Sequence, residues 1–216
     1  MSKSFRILLT LVATSLASGV AAAEDLKPVS LPPPHSSGGK PLMDALALRS
    51  TSRAFSSGAL PTQTLSDLLW AAWGINRPKE GKRTAPSARN WQEIDVYVVM
   101  PTGTYLYDAT TNTLKPMAAG DQRALAGMQD FVRDAPVTLV FVADMSRVKG
   151  APEGDQTNLV WADAAFISEN VYLFAASEGL ATGVRASIDR VALAKTLKLR
   201  NDQVIAMAQS IGFPKK

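Results

Sequence analysis

Apolar positions recur at helical spacing in the first part of the chain and at strand spacing after it. Leu42, Met43, Ala45, Leu46 and Leu48 form a stripe behind Pro41, a good first helical residue, and predict a helix that runs into Arg49. Leu65, Leu68, Leu69, Trp70, Ala72 and Trp73 predict a second helix. Pro61 and Thr64, the latter as N-cap, open it, Asp67 is the acidic residue of its first turn, and Gly74 and Asn76 end it. The pattern then changes. Ile94 to Val99 reads as a strand, and Tyr105-Leu106-Tyr107 and Thr113-Leu114-Lys115 flank a turn at Asp108 to Asn112, which predicts a hairpin. Gln122 to Met128 predicts a short helix. Val137 to Val142 is an unbroken apolar run, the mark of a strand buried on both faces. Residues 156–178 predict the longest helix. Ala162, Ala164, Ala165, Ile167, Val171, Leu173, Phe174, Ala175 and Ala176 make it small or apolar nearly all round, as in a helix enclosed by the protein. Gly179 ends it, Asp189 to Leu197 predicts another helix, and Val204 to Ile211 a closing strand. Helices first, then strands and helices mixed, is an α+β order.

The two ends of the chain differ from its middle. Residues 1–23 have the form of an export signal: Lys3 and Arg6, an apolar stretch from Ile7 to Ala17, then Ala21-Ala22-Ala23. The stretch is too short for a membrane span and is broken by Thr10, Thr14, Ser15 and Ser18, so a mature chain without a membrane span is expected. There is no twin-arginine pair, which implies export of the unfolded chain to the periplasm if the source is Gram-negative. Residues 24–40 are rich in Pro, Ser and Gly and read as an extended or disordered leader. Residues 41–216 are left as one domain, and a chain that is 46% hydrophobic has enough apolar side chains for a sizeable core.

Charge and composition narrow the chemistry. The net charge of +4 falls to +2 when Lys3 and Arg6 leave with the signal, and no basic run has the form of a nucleic-acid footprint. Cysteine is absent, which removes disulfides, thiolate catalysis and Cys-ligated metal. The single histidine, His35, falls in the leader and reads as a solvated loop residue. A Ser-His hydrolase centre and a transition-metal site therefore have no support.

Two polar stretches remain. Arg49-Ser50-Thr51-Ser52-Arg53 places two permanent cations four residues apart with hydroxyls between them, a donor set suited to phosphate or to a ring carbonyl and nitrogen. On residue type alone it reads more readily as a solvated helix face. Residues 77–93 form a long donor-rich loop that contains Pro86-Ser87-Ala88-Arg89-Asn90-Trp91-Gln92.

With these motifs in order, residues 41–214 resemble the nitroreductase family of flavoenzymes, and look closest to its thiazoline/oxazoline peptide oxidase subgroup. The resemblance rests on Arg49-Ser50-Thr51-Ser52-Arg53-Ala54-Phe55, on Pro86-Ser87-Ala88-Arg89-Asn90, on the alanine-rich helix from Asp163 to Asn170 with Gly179-Leu180-Ala181-Thr182-Gly183-Val184 behind it, and on Ile211-Gly212-Phe213-Pro214. It implies an α+β fold with a mixed, mostly antiparallel sheet flanked by helices and a long central helix at a homodimer interface. It also implies FMN as cofactor. Arg49, Ser50, Thr51 and Arg53 would then meet the phosphate and the pyrimidine edge. Pro86, Ser87, Ala88 and Asn90 would pack under the ring, the turn through Gly183 would pass its N5 side, with Val184 and Arg185 the weaker choices to face it, and Lys215 would reach the phosphate. The chain departs from the family pattern at Ser50, where a basic residue or His is usual, at Ala88 in place of Ser, at Ala181 in place of Gly, and in its short end at Lys215-Lys216.

The resemblance implies an exported FMN-dependent oxidoreductase working by ping-pong electron transfer at N5 on a small-molecule or peptide substrate. The electron donor stays open, because nicotinamides are scarce outside the cytoplasm. The alternative is a non-catalytic flavin-binding or interaction protein that keeps the fold.

Overall fold

The computed structural model describes residues 26–216; the expected signal, residues 1–23, lies outside them. A seven-stranded sheet is built from β1 (Val29–Ser30), β4 (Ile94–Met100), β5 (Gly103–Asp108), β6 (Thr113–Ala119), β7 (Val137–Asp144), β8 (Ala181–Arg185) and β9 (Gln203–Gly212), in the order β1-β6-β5-β4-β7-β9-β8. Every pairing in it is antiparallel. A small hairpin, β2 (Ile75–Arg77) with β3 (Lys82–Arg83), stands apart. The helices are α1 (Leu42–Leu48), α2 (Thr62–Trp73), α3 (Glu153–Glu178) and α4 (Arg190–Thr196). The expected α+β architecture, with a helix-flanked sheet and one long central helix, is what the chain adopts.

Strand β7 shows why its sequence is an unbroken apolar run. It lies between β4 and β9, and successive side chains point to opposite faces. Val137, Leu139, Phe141 and Ala143 enter the core shared with α2 and α3, while Val140 and Val142 enter the one shared with Ile188, Leu193 and Leu197. Both faces are covered, so polar alternation has nowhere to go.

Helix α3 has the length and composition of a membrane span, yet it packs on α1, α2, β8 and β9. Val160, Ala164, Ile167, Val171 and Ala175 form its buried face, and Gly179, at φ 69°, caps it in the left-handed conformation that glycine adopts without strain. The helix is not enclosed all round. Phe166 is 48% exposed, and Ala162 and Ala165 lie beside it on the open side.

Other expectations need correction. The second helix begins at Thr62 with Pro61 as its cap, so Thr64 is not the N-cap and no acid stands in the first turn. Pro61 fixes the entry into the helix through its ring-locked φ of −54°, three residues before the Thr64 hydroxyl that marks a cap by type. In the predicted short helix at 122–128 only Arg123–Leu125 forms, as a 3-10 turn. The α1 stripe does not enter the core: only Ala45 is buried, and Leu42, Met43, Leu46 and Leu48 face outward. Residues 26–40 are extended and packed down. Leu31 is buried, β1 extends the sheet edge, and Asn112 and Ser66 donate to the Pro32 carbonyl. His35 is the solvated loop residue expected, with its ring 3.0 Å from Asp67.

Candidate functional site

The Arg49–Arg53 segment is not helical. Helix α1 ends at Leu48, and the chain runs on extended beside β8, with the Ser52 amide donating to the Thr182 carbonyl at 2.8 Å. A solvated helix face is therefore excluded. Gly183 permits this approach, because a Cβ there would lie 2.8 Å from the Ser52 carbonyl oxygen.

Tyr172 of α3 joins the pieces. Its hydroxyl pairs with the Thr51 hydroxyl at 2.9 Å and accepts the Val184 amide at 3.1 Å. The Arg49 guanidinium sits 5.5 Å over its ring. Arg49, Thr51, Gly183 and Val184 are thus brought into one cluster. Ser50 and Arg53 stand exposed beside it. Neither Arg49 nor Arg53 forms an ion pair among the described residues.

Lys215 follows on the same side, where its amide donates to the Ala54 carbonyl at 3.2 Å and Phe55 bridges Pro214. It borders a cavity of about 820 Å³ lined by Phe55, Ser56, Phe213 and Lys216. Arg185 points inward. It is 7% exposed, donates to Ser210 and to the Ala126 carbonyl, and stacks on Phe131, so it does not face a ligand as the weaker expectation had it. Burial with no anionic partner pulls its guanidinium down to about 10.

The second motif forms a separate cluster. Residues Ala88–Asn90 make a 3-10 turn in which Arg89 (φ 50°), Asn90 (φ 57°) and, just beyond, Gln92 (φ 48°) all hold left-handed backbone. Asn tolerates that region, while the other two are strained by about 1 kcal/mol or more each. Side chains hold the shape. The Ser87 hydroxyl accepts the Gln92 amide at 3.0 Å, Asn90 Oδ1 accepts from Gln92 Nε2 at 3.2 Å, and Trp91 Nε1 donates to the Lys149 carbonyl. The Ala88 amide donates to Asp163 Oδ2 of α3 at 2.8 Å. Pro86 is exposed at the loop's start.

Beneath this loop lies a buried acid pair. Glu93 is fully buried and neither of its oxygens meets an N–H or hydroxyl donor among the described residues. Burial first, and then the neighbouring Asp163 carboxyl, push Glu93 up to about 7. Asp163 is raised as well, by burial, while the Ala88 amide and a proton on Glu93 oppose that rise. Burial thus raises both carboxyls, and the Ala88 amide stabilises the charge of Asp163.

The two motifs do not meet within one chain. Thr51 is tied to Tyr172 and Ala88 to Asp163, nine residues apart on α3. At 100° and 1.5 Å per residue that is about half a turn round the helix and about 13 Å along it. The two clusters flank the buried face of α3 on opposite sides, and Ala162, Ala165 and Phe166 lie on the open side between them.

Tyr172, Asp163 and Glu93 were not among the residues expected from sequence. Asp163 and Tyr172 do carry a signal there: each is polar within an alanine-rich helix that ought to be buried, and a buried polar group needs a partner. Glu93, one acid ahead of a strand, carries none.

Comparison with known proteins agrees with this architecture. The nitroreductase family pattern matches residues 46–213. A Ralstonia eutropha JMP134 protein described as a nitroreductase is 40% identical, with a TM-score of 0.85 over 91% of this chain and 93% of that one. A Methanocaldococcus jannaschii protein named as a nitroreductase is 29% identical over 151 residues, which is 65% of this chain and 76% of its own length. The Escherichia coli microcin synthetase McbBCD complex shares the fold at 20% identity, with a TM-score of 0.67 over 96% of this chain and 85% of that one. With the pattern spanning most of the chain, this protein belongs to the nitroreductase family and is an oxidoreductase by that membership.

Proposed function

We propose that this chain is an exported, FMN-dependent oxidoreductase that works as a homodimer on a small-molecule or peptide substrate, with each flavin held between two copies. The observation that carries this reading is the placement of the two motif clusters on opposite flanks of α3, with an uncovered apolar stripe between them. A second copy laid on Ala162, Ala165 and Phe166 about a twofold axis would bring one flank of each chain to the other flank of its partner. The outward stripe of α1 would add to the same buried surface.

The residues present fit FMN. Arg49 and Arg53 are cations without carboxylate partners among the described residues, as a phosphate or an electron-rich pyrimidine edge requires. Ser50 and Thr51 add short donors, Gly183 and Val184 offer backbone close by, and Lys215 adds charge at the cavity rim. Pro86, Ser87 and Asn90 supply a rigid floor from the partner. Ala88 contributes shape only, since its amide already donates to Asp163.

When bound, FMN would supply the redox chemistry, that of a two-electron carrier reacting at N5 in alternating half-reactions. The chain itself binds, orients and tunes. Fixed cations near the pyrimidine edge favour extra negative charge there. Neither cluster presents an exposed histidine or cysteine as a general acid or base.

The test is titration of the purified chain, without residues 1–23, with FMN. One FMN per chain and a dimer in sedimentation are expected, and Arg53→Ala should weaken FMN retention and lower the flavin potential. A colourless protein that takes up no FMN would overturn the assignment. Uptake of FMN, with the reduced protein reoxidised by acceptors no faster than free FMN, would favour the non-catalytic binding protein.

A further inference from the structure

The strained 86–92 loop needs something to hold it, and the buried acid pair lies directly beneath it. We infer that Glu93 is a positioning residue: by keeping a proton it lets Asp163 remain an acceptor for the Ala88 amide, and so latches the loop in its left-handed shape. The inference rests on the proposed flavin site only in giving that shape a purpose.

Three observations support it. Glu93 is completely enclosed and, among the described residues, both its oxygens lack N–H and hydroxyl donors, so an ionised side chain there would be a bare buried charge. Asp163 is 2% exposed and reaches the loop through one bond, to Ala88. The loop continues straight into Glu93 after Gln92, whose own φ of 48° is among the strained values. A protonated carboxyl has one O–H to donate, and Asp163 is the neighbour able to accept it.

The charged groups around the pair fix the direction of the pH response. From α3 comes Asp163. From the turn after β7 comes Arg147, whose guanidinium favours ionised Glu93 but is itself drawn to Asp95 (2.6 Å), to Asp144 (3.2 Å) and to the Gln92 carbonyl (2.7 Å). Asp144 is shared with Arg200 at 2.8 Å. With Arg147 so occupied, burial and Asp163 prevail. Glu93 titrates at about 7 instead of its ordinary 4.5. A carboxyl raised in this way contributes its stabilisation in full below about 4.5 and loses it as pH rises through about 7. The latch is tightest in acid solution, weakens as pH rises towards neutral, and changes no further in base.

The experiment is hydrogen exchange at the Ala88 amide across this pH range, in wild type, Glu93→Gln and Glu93→Leu, with the Val98 amide of β4 as internal reference. Gln keeps an N–H donor to Asp163 and cannot titrate. In wild type, protection of Ala88 relative to Glu93→Gln should fall by up to about tenfold per pH unit between about 4.5 and about 7, the limit for loss of one proton, and level off above that. In Glu93→Leu it should be low at every pH. A wild type that parallels Glu93→Gln at all pH values would overturn the inference, and so would a Glu93→Leu chain as protected as Glu93→Gln. If a variant does not fold, the wild-type ratio of Ala88 to Val98 across pH decides alone. FMN titration at the same pH values separates the two readings. Protection that responds in a chain unable to bind FMN keeps the latch and removes the flavin site. FMN binding with protection that stays flat does the reverse.

Discussion

On one flank of α3 stand Arg49, Arg53 and, deeper, Arg185, none paired with a described carboxylate; on the other stand Glu93 and Asp163, with a single backbone N–H between them. The first flank keeps most of its charge near solvent and open to an incoming anion. The second buries its charge and neutralises half of it with a proton. The difference teaches what each flank is for. A group that must attract a charged ligand is left without a partner at the surface, where water makes this cheap. A group that must hold a strained backbone is buried, where a hydrogen bond is stronger but a lost partner costs more. Perturbing each flank in turn tests this division.

The largest effect is expected from Gly183→Val. The new Cβ would lie 2.8 Å from the Ser52 carbonyl and 3.4 Å from Thr51 Cγ2, and both belong to a segment fastened to β8. Overpacking against backbone should cost about 3 kcal/mol in urea unfolding and abolish FMN uptake. The Ala88 amide, on the other flank, should keep its protection from exchange. If Ala88 is deprotected as well, the two flanks are one unit and the comparison fails.

Asp163→Ala comes next. It leaves the Ala88 amide and the Glu93 carboxyl without their shared partner beneath the loop. Stranding buried polar groups costs about 2 kcal/mol, measurable by the shift of the urea midpoint. Trp91, pinned to Lys149 at the loop's end, should change its fluorescence, while a probe on the Arg49 side should not. Tyr172→Phe is the counterpart on the first flank. It removes one hydroxyl from between Val184 and the exposed Thr51, and with water at hand for Thr51 it should cost about 1 kcal/mol. A Tyr172→Phe loss as large as that of Asp163→Ala would mean that burial does not set the scale.

How much of this was legible in the sequence follows from the reach of each interaction. Strand β7 was readable because burial on both faces leaves an unbroken apolar run, and helix α3 because its length and small apolar residues mark a helix, though they do not show which side stays open. The order of the family motifs located both clusters. What the sequence did not carry was pairing at a distance. Thr51 and Tyr172 are 121 residues apart, and Ala88 and Asp163 are 75 apart. The chain ahead of α1 looked unstructured by composition, since its order comes from Ser66, Asp67 and Asn112, which belong to other elements. The α1 stripe looked like a core face because periodicity reports that a face is apolar and not what covers it.

Arg185 gives the smallest effect and the sharpest test. It is as buried as the acid pair, yet it belongs to the flank defined by unpaired cations. Its guanidinium has hydrogen bonds to Ser210 and to the Ala126 and Gly183 carbonyls, but its Nε has no acceptor and no anion offsets its charge. Desolvation of that charge opposes its hydrogen bonds and its contact with Phe131. Arg185→Met keeps much of the volume and removes the charge, so the cost of the lost bonds and the gain from the lost desolvation should cancel to within about 1 kcal/mol. Ser210 keeps the Thr138 hydroxyl at 2.8 Å, which limits the damage. A near-zero shift in the urea midpoint, beside the large one for Asp163→Ala, would show that burial alone does not make a charge structural; what matters is whether another group depends on it. A loss matching that of Asp163→Ala would show that Arg185 supports β8 as Asp163 supports the loop, and that the two flanks follow a single rule.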